Sequence, residues 1–137
     1  MRVQPYLNFN GRAEEAMAFY KQAVDAQGTF LMRCKEAPEG PPVDADKADK
    51  ILHAEFTVGE STIMCSDGYC TGEAPAFQGI TLTIVADDDA QARRRFDALA
   101  DGGAVQMPLT KTFFASSFGM LTDRFGVGWM VITADPQ

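Results

Sequence analysis

The chain has 137 residues, of which 46% are hydrophobic and 23% charged, and a formal net charge of −7. That length buries enough surface to fold without a metal or disulfide staple, and the acidic balance disfavours nucleic acid and anionic membranes, which bind basic proteins through counterion release. No apolar run reaches the ~18 residues of a membrane span.

Cys34, Cys65 and Cys70 are odd in number and lack CxxC spacing, so reduced thiols are expected. The opening Met-Arg-Val-Gln-Pro passes into a strand pattern without the apolar core of a signal peptide, which makes the expected location cytoplasmic. The expected partner is a small organic molecule or a second copy of the chain, with no cofactor.

Val3 to Phe9 alternates as a strand, with Leu7 and Phe9 on one face and Gln4, Tyr6 and Asn8 on the other. Arg12 to Ala26 carries a helical stripe of Ala13, Ala16, Met17, Phe19, Tyr20 and Val24. Glu14 and Glu15 stand in its first turn, where the helix dipole favours acids, and Gly28 is its expected stop. Thr29 to Cys34 reads as a strand, and residues 35–50, proline-rich and without period, as a loop or lid. Ile51 to Val58 sets Leu52, Ala54 and Phe56 opposite His53, Glu55 and Thr57. It turns at Gly59-Glu60 and returns as Ser61 to Ser66, with Ile63 and Cys65 opposite Thr62, Met64 and Ser66.

Residues 1–67 thus spell β-α-β-β-β, and after a linker at 68–78 the order repeats over 79–137. Gly79 to Val85 sets Ile80, Leu82 and Ile84 against Thr81 and Thr83. Asp87 to Asp89 opens a helix at Ala90 to Ala100, which Gly102-Gly103 closes. Val105 to Leu109 and a loop at Lys111 to Ser117 lead to a hairpin that turns at Thr122-Asp123-Arg124-Phe125-Gly126. In its last strand Val127, Trp129 and Val131 face one way and Gly128, Met130 and Ile132 the other.

The expected fold class is α+β. Two tandem βαβββ modules, together one compact domain, form a curved mixed sheet with both helices on its convex face. Leu7, Phe9, Leu52, Phe56, Ile63, Leu82, Ile84, Trp129 and Val131 are the expected core. The concave face would be lined by Gln4, Tyr6, Asn8, His53, Glu55, Met64, Thr81, Thr83 and Met130, with Phe113 and Phe114 beside it, a mixture that suits a small-molecule pocket.

His53 is the only histidine and lies two positions before Glu55. Alternate strand residues point together, so an imidazole and a carboxylate meet one ligand there, a pairing suited to proton transfer. A structural hydrogen-bonded pair and a dimer contact are the alternatives.

The stretches FYKQAV and DRFGVGW resemble the vicinal oxygen chelate superfamily of glyoxalases, bleomycin-resistance proteins and extradiol dioxygenases. PYLNFNGRAEEAMAFY, HAEFTVGEST, MCSDG and FGMLTDRFGVGWMV are similar to its PhnB-like branch, often labelled with a demethylubiquinone methyltransferase name. The resemblance implies the glyoxalase/bleomycin-resistance fold and a homodimer that closes the pocket. Relatives hold a divalent metal by one residue on the first and last strands of each module. The matching positions here are Gln4, Met64, Gly79 and Met130, and only Gln4 has an oxygen donor, so no metal is expected. No strand, glycine-rich turn and helix signature for S-adenosylmethionine is present.

The reading is a metal-free small-molecule-binding protein with any acid–base work at His53 and Glu55. The alternatives are an enzyme of the superfamily, either a metal-dependent lyase or isomerase or a methyltransferase, and a drug-sequestering resistance protein.

Overall fold

The computed structural model describes residues 1–37, 46–68 and 77–134. The chain divides into two compact units, Met1–Pro75 and Ala76–Gln137. The first contains β1 (Tyr6–Asn8), α1 (Ala13–Val24), β2 (Gln27–Arg33), a 3-10 turn at Cys34–Glu36, β3 (Ile51–Val58) and β4 (Ser61–Ser66). Its sheet order is β1-β4-β3-β2, with β1 parallel to β4 and the other pairs antiparallel. The second contains β5 (Thr81–Val85), α2 (Asp89–Ala100), β6 (Ala104–Thr110), β7 (Ala115–Thr122) and β8 (Gly128–Ala134). Its order, β5-β8-β7-β6 with β5 parallel to β8, repeats the first. The fold is α+β, two tandem βαβββ modules.

In the first unit the buried stripe of α1 is Ala13, Ala16, Tyr20, Ala23 and Val24, spaced as one helical face requires. Tyr20 is fully buried and lies 6.1 Å from the Phe9 ring and 5.8 Å from the Phe56 ring. Burying a side chain such as Phe56 contributes about 1.5–3 kcal/mol. The helix stops earlier than expected. Asp25, not Gly28, takes the left-handed conformation at φ 60°, ψ 36°, which a short polar side chain tolerates, and Gly28 lies within β2.

The buried Asp67 carboxylate accepts from Ala13 N at 2.9 Å and from Ile51 N at 2.8 Å, tying the start of α1 to the start of β3. A register shift between Met32 and Arg33 breaks strict alternation beside that start. Ile51 is therefore a core residue and Leu52, expected there, is half-buried.

In the second unit Ala92, Phe96 and Leu99 of α2 are buried, as are Trp129 and Val131 of β8. Gly119 makes room for this packing, since a Cβ on it would stand 2.6 Å from Phe96 Cε2. Leu82 and Ile84, also expected in the core, are half-buried. Asp88 caps α2 by accepting from Gln91 N at 2.7 Å, and Gln91 Oε1 accepts from Asp87 N at 2.8 Å. The last hairpin closes around Asp123, 3% exposed, whose carboxylate accepts from Phe125 N (2.8 Å), Val127 N (3.1 Å) and Trp129 Nε1 (2.9 Å).

Cys34 is disulfide-bonded, which corrects the expectation of reduced thiols throughout. Cys65 is free and buried, and burial, followed by the charge of Asp67, pushes its thiol up to about 12. Residues 38–45 of the expected lid and 69–76 of the expected linker lie outside the described residues.

Candidate functional site

Cross-strand partners share a sheet face, so register decides which side chains meet. Tyr6 stands opposite Met64, Met64 opposite Glu55, Glu55 opposite Phe30, and His53 opposite Met32. Their sequence neighbours Leu7, Ala54, Ile63 and Cys65 are buried. Tyr6, His53, Glu55 and Met64 therefore occupy the face turned away from the core, joined by Phe30 and Met32 from β2.

On that face Tyr6 Oη lies 3.0 Å from His53 Nδ1, and the two rings stack at 5.5 Å with 29° between planes. The other imidazole nitrogen, Nε2, is 3.8 Å from Glu55 Oε1, too long for a hydrogen bond and an ion pair only when the ring is protonated. The Phe30 ring lies 5.9 Å from His53 on a tilt of 50°. Tyr6 and Phe30 are 45% and 43% exposed, and the side chains of His53 and Glu55 32% and 36%. The arrangement is a phenol, an imidazole and a carboxylate in sequence along a half-open aromatic wall, a set able to pass a proton to or from a bound molecule.

Gln4 precedes β1 and is half-buried. The Asn8 side chain accepts from Asn10 N at 3.0 Å, which commits it to the turn that ends β1. Phe30 was not among the sequence candidates. Its place depends on which residue of β3 it faces, and no local pattern encodes that.

In the second unit Thr83 stands opposite Met130, Met130 opposite Met120, and Thr81 opposite Gly128. Thr83 Oγ1 lies 3.7 Å from Met130 Sδ. Phe113, 96% exposed, and Phe114 meet edge to face at 5.1 Å, and Phe114 meets Phe118 at 5.1 Å. Thioethers, threonine hydroxyls and phenyl rings make these groups apolar or weakly polar, and none of them titrates.

The superfamily's divalent metal does not fit the residues present. Met64 and Met130 offer thioethers, Gly79 precedes β5 and has no side chain, and Gln4 supplies one amide oxygen. Hard and borderline ions prefer carboxylate, imidazole or thiolate. Among the described residues no group of three or more His, Cys, Asp or Glu side chains is placed to hold an ion. Nor is any helix among them long and apolar enough to cross a membrane.

Residues 1–132 match the family described as 3-demethylubiquinone-9 3-methyltransferase. The chain is 32% identical over 145 residues to Protein YjdN of Escherichia coli K12, covering 100% of this chain and 98% of that protein. Among solved structures it is similar to protein PA1353 of Pseudomonas aeruginosa, with 41% identity, a TM-score of 0.87 and 99% of each chain covered. It is also similar to a putative 3-demethylubiquinone-9 3-methyltransferase, PhnB protein, of Bacillus cereus, with 30% identity, a TM-score of 0.79, and 98% of this chain and 100% of that one covered. A glyoxylase/bleomycin resistance protein/dioxygenase domain from Frankia shares the fold at 13% identity and a TM-score of 0.66, covering 98% and 95%.

Proposed function

The chain belongs to the family described as 3-demethylubiquinone-9 3-methyltransferase, a PhnB-like branch of the glyoxalase/bleomycin-resistance fold, and on that premise we propose that it binds a small organic molecule without a metal. The ligand lies against Tyr6, His53, Glu55 and Met64. The observation that carries this reading is the 3.0 Å contact between Tyr6 Oη and His53 Nδ1, with Glu55 on the far side of the same ring. A half-open wall with one imidazole at its centre provides surface for a ligand and a group that gains or loses a proton.

The family's description names a reaction that these residues do not account for. Methyl transfer needs a donor site, and the described strands form two mixed sheets instead of the parallel sheet with a glycine-rich turn that binds S-adenosylmethionine in the common fold.

A homodimer that closes the open face belongs to the same proposal. So does a ligand-binding role for Thr81, Thr83, Phe113, Phe114 and Met130 within the second unit. A cytoplasmic location is part of the reading, and the disulfide at Cys34 is the observation that weighs against a reducing compartment.

Native mass spectrometry of freshly purified protein tests the whole, since it reports subunit count, bound metal and retained small molecule together. The expected spectrum is a dimer with an organic adduct that survives EDTA and is lost in His53→Ala. A stoichiometric metal, or an adduct indifferent to His53→Ala, would overturn the reading.

A further inference from the structure

We propose that the wall formed by Phe30, Tyr6, His53 and Glu55 takes an arylalkylamine in its ammonium form, an inference that rests on the reading above and narrows its ligand class. Charge is the first ground. The cross-strand neighbours of Glu55 on this face are Phe30 and Met64, both uncharged, and its ion-pair contact is His53 at 3.8 Å, which counts only when the imidazole is protonated. With the imidazole neutral, a carboxylate that is 36% exposed stands beside aromatic surface with no lysine or arginine in ion-pair contact among the described residues. Such a group attracts an ammonium and repels an anion, and ring faces add attraction for a cation through their quadrupole.

The rings are the second ground. Tyr6 and Phe30 lie 5.5 and 5.9 Å from the His53 ring, and each keeps nearly half of its surface open. A planar ligand finds flat, apolar partners there at spacings typical of aromatic contacts.

The third is the position of the imidazole proton. With Nε2 facing Glu55, where negative charge favours a proton, the inferred tautomer carries its proton on Nε2 and takes the Tyr6 hydroxyl as donor to Nδ1 across 3.0 Å. The wall then offers the phenol oxygen and the carboxylate as acceptors, and an ammonium brings three donors to them. An anionic ligand would need a cation here, and the residues that register places beside the array, Met32 and Met64, are thioethers.

Because His53 is the only histidine, its imidazole signals in a long-range ¹H–¹⁵N spectrum are assigned without ambiguity. The full chain is titrated at neutral pH with 2-phenylethylamine, 2-phenylethanol and phenylacetate, which share a ring and differ in charge. The free chain is expected to show the Nε2–H pattern. The amine moves the His53 signals saturably and binds about five-fold more tightly than the alcohol, as suits a charge pair only partly withdrawn from water. Phenylacetate leaves the signals in place.

Glu55→Gln removes the advantage of the amine while keeping the binding of the alcohol, and Phe30→Ala weakens both. The proposal is overturned by an Nδ1–H pattern, by phenylacetate binding as tightly as the amine, by an amine advantage that persists in Glu55→Gln, or by probes that leave His53 unmoved. A neutral or anionic molecule that binds and is lost in His53→Ala would overturn the ammonium assignment and leave the proposed function standing.

Discussion

Replacing Asp123 by alanine removes one side chain and strands three N–H groups. Phe125 N lies in a half-buried part of the turn, where water reaches it after the change. Val127 N and Trp129 Nε1 belong to residues that are each 3% exposed, so two buried donors lose their acceptor. Each bare buried donor costs about 1–3 kcal/mol, which sets the range at about 2–6 kcal/mol. Water entering the emptied turn recovers part of this, and the expected loss is about 3 kcal/mol, or about 10 °C in Tm. That is a large share of the ~5–15 kcal/mol that holds a domain of this kind folded.

Asp123→Asn keeps one acceptor oxygen and turns an amide donor toward a donor, so it should cost roughly half as much as alanine. Trp129 is the only tryptophan, and its fluorescence follows urea unfolding at the site of the change. An alanine variant within about 0.5 kcal/mol of the parent, or an asparagine variant as costly as alanine, would refute the view of Asp123 as the group that organises this hairpin.

Gly103→Ala should destabilise by about 2 kcal/mol, because its Cβ would stand 2.1 Å from Thr122 O, a backbone atom that cannot turn aside. Gly79→Ala meets open space and pays only for its φ of +72°, about 1 kcal/mol, and paired thermal melts rank the two. Asp89 accepts from Ser116 and Ser117, both at 2.7 Å, and these hydrogen bonds, the first with Ser116, hold its carboxyl below the usual range. A folded-state pKa below the unfolded value of about 3.9 adds stability above that value and loses it as pH falls through the folded pKa. The Ser116→Ala, Ser117→Ala double variant should therefore be less stable than the parent at pH 7, with the part of the deficit that comes from Asp89 ionisation closing as pH falls below the unfolded value of about 3.9 in acid-unfolding curves. Cys65, with its thiol pushed up to about 12, should resist iodoacetamide at pH 8 in the folded chain and react on unfolding, as alkylation mass spectrometry would show.

Local pattern made much of the fold legible. The alternation of Val127, Trp129 and Val131 against Gly128, Met130 and Ile132 announced which face of β8 is buried, because side-chain direction in a strand has a period of two whatever lies beside it. The acidic run before α2 and the glycine after it marked that helix, with Asp88 as its cap and Gly102 at φ 80°. Asp25 gave no such warning, since an aspartate takes the left-handed conformation only where the surrounding chain requires it. Leu82 and Ile84 looked like core residues by alternation and are half-buried, because alternation tells which face a side chain takes and not how fully that face is covered.

By itself the sequence determined the order of elements, the buried face of a strand such as β8, and the presence of His53 and Glu55 together on one face. Tertiary structure alone decided that Tyr6 meets His53 across 47 positions, that Phe30 joins them from β2, and that Asp67 bridges Ala13 and Ile51, which are 54 and 16 positions away from it. The physical reason is register. Periodicity is set residue by residue through backbone geometry, whereas cross-strand contacts depend on where one strand settles against another, and a slip of one residue would turn each of these side chains to the opposite face.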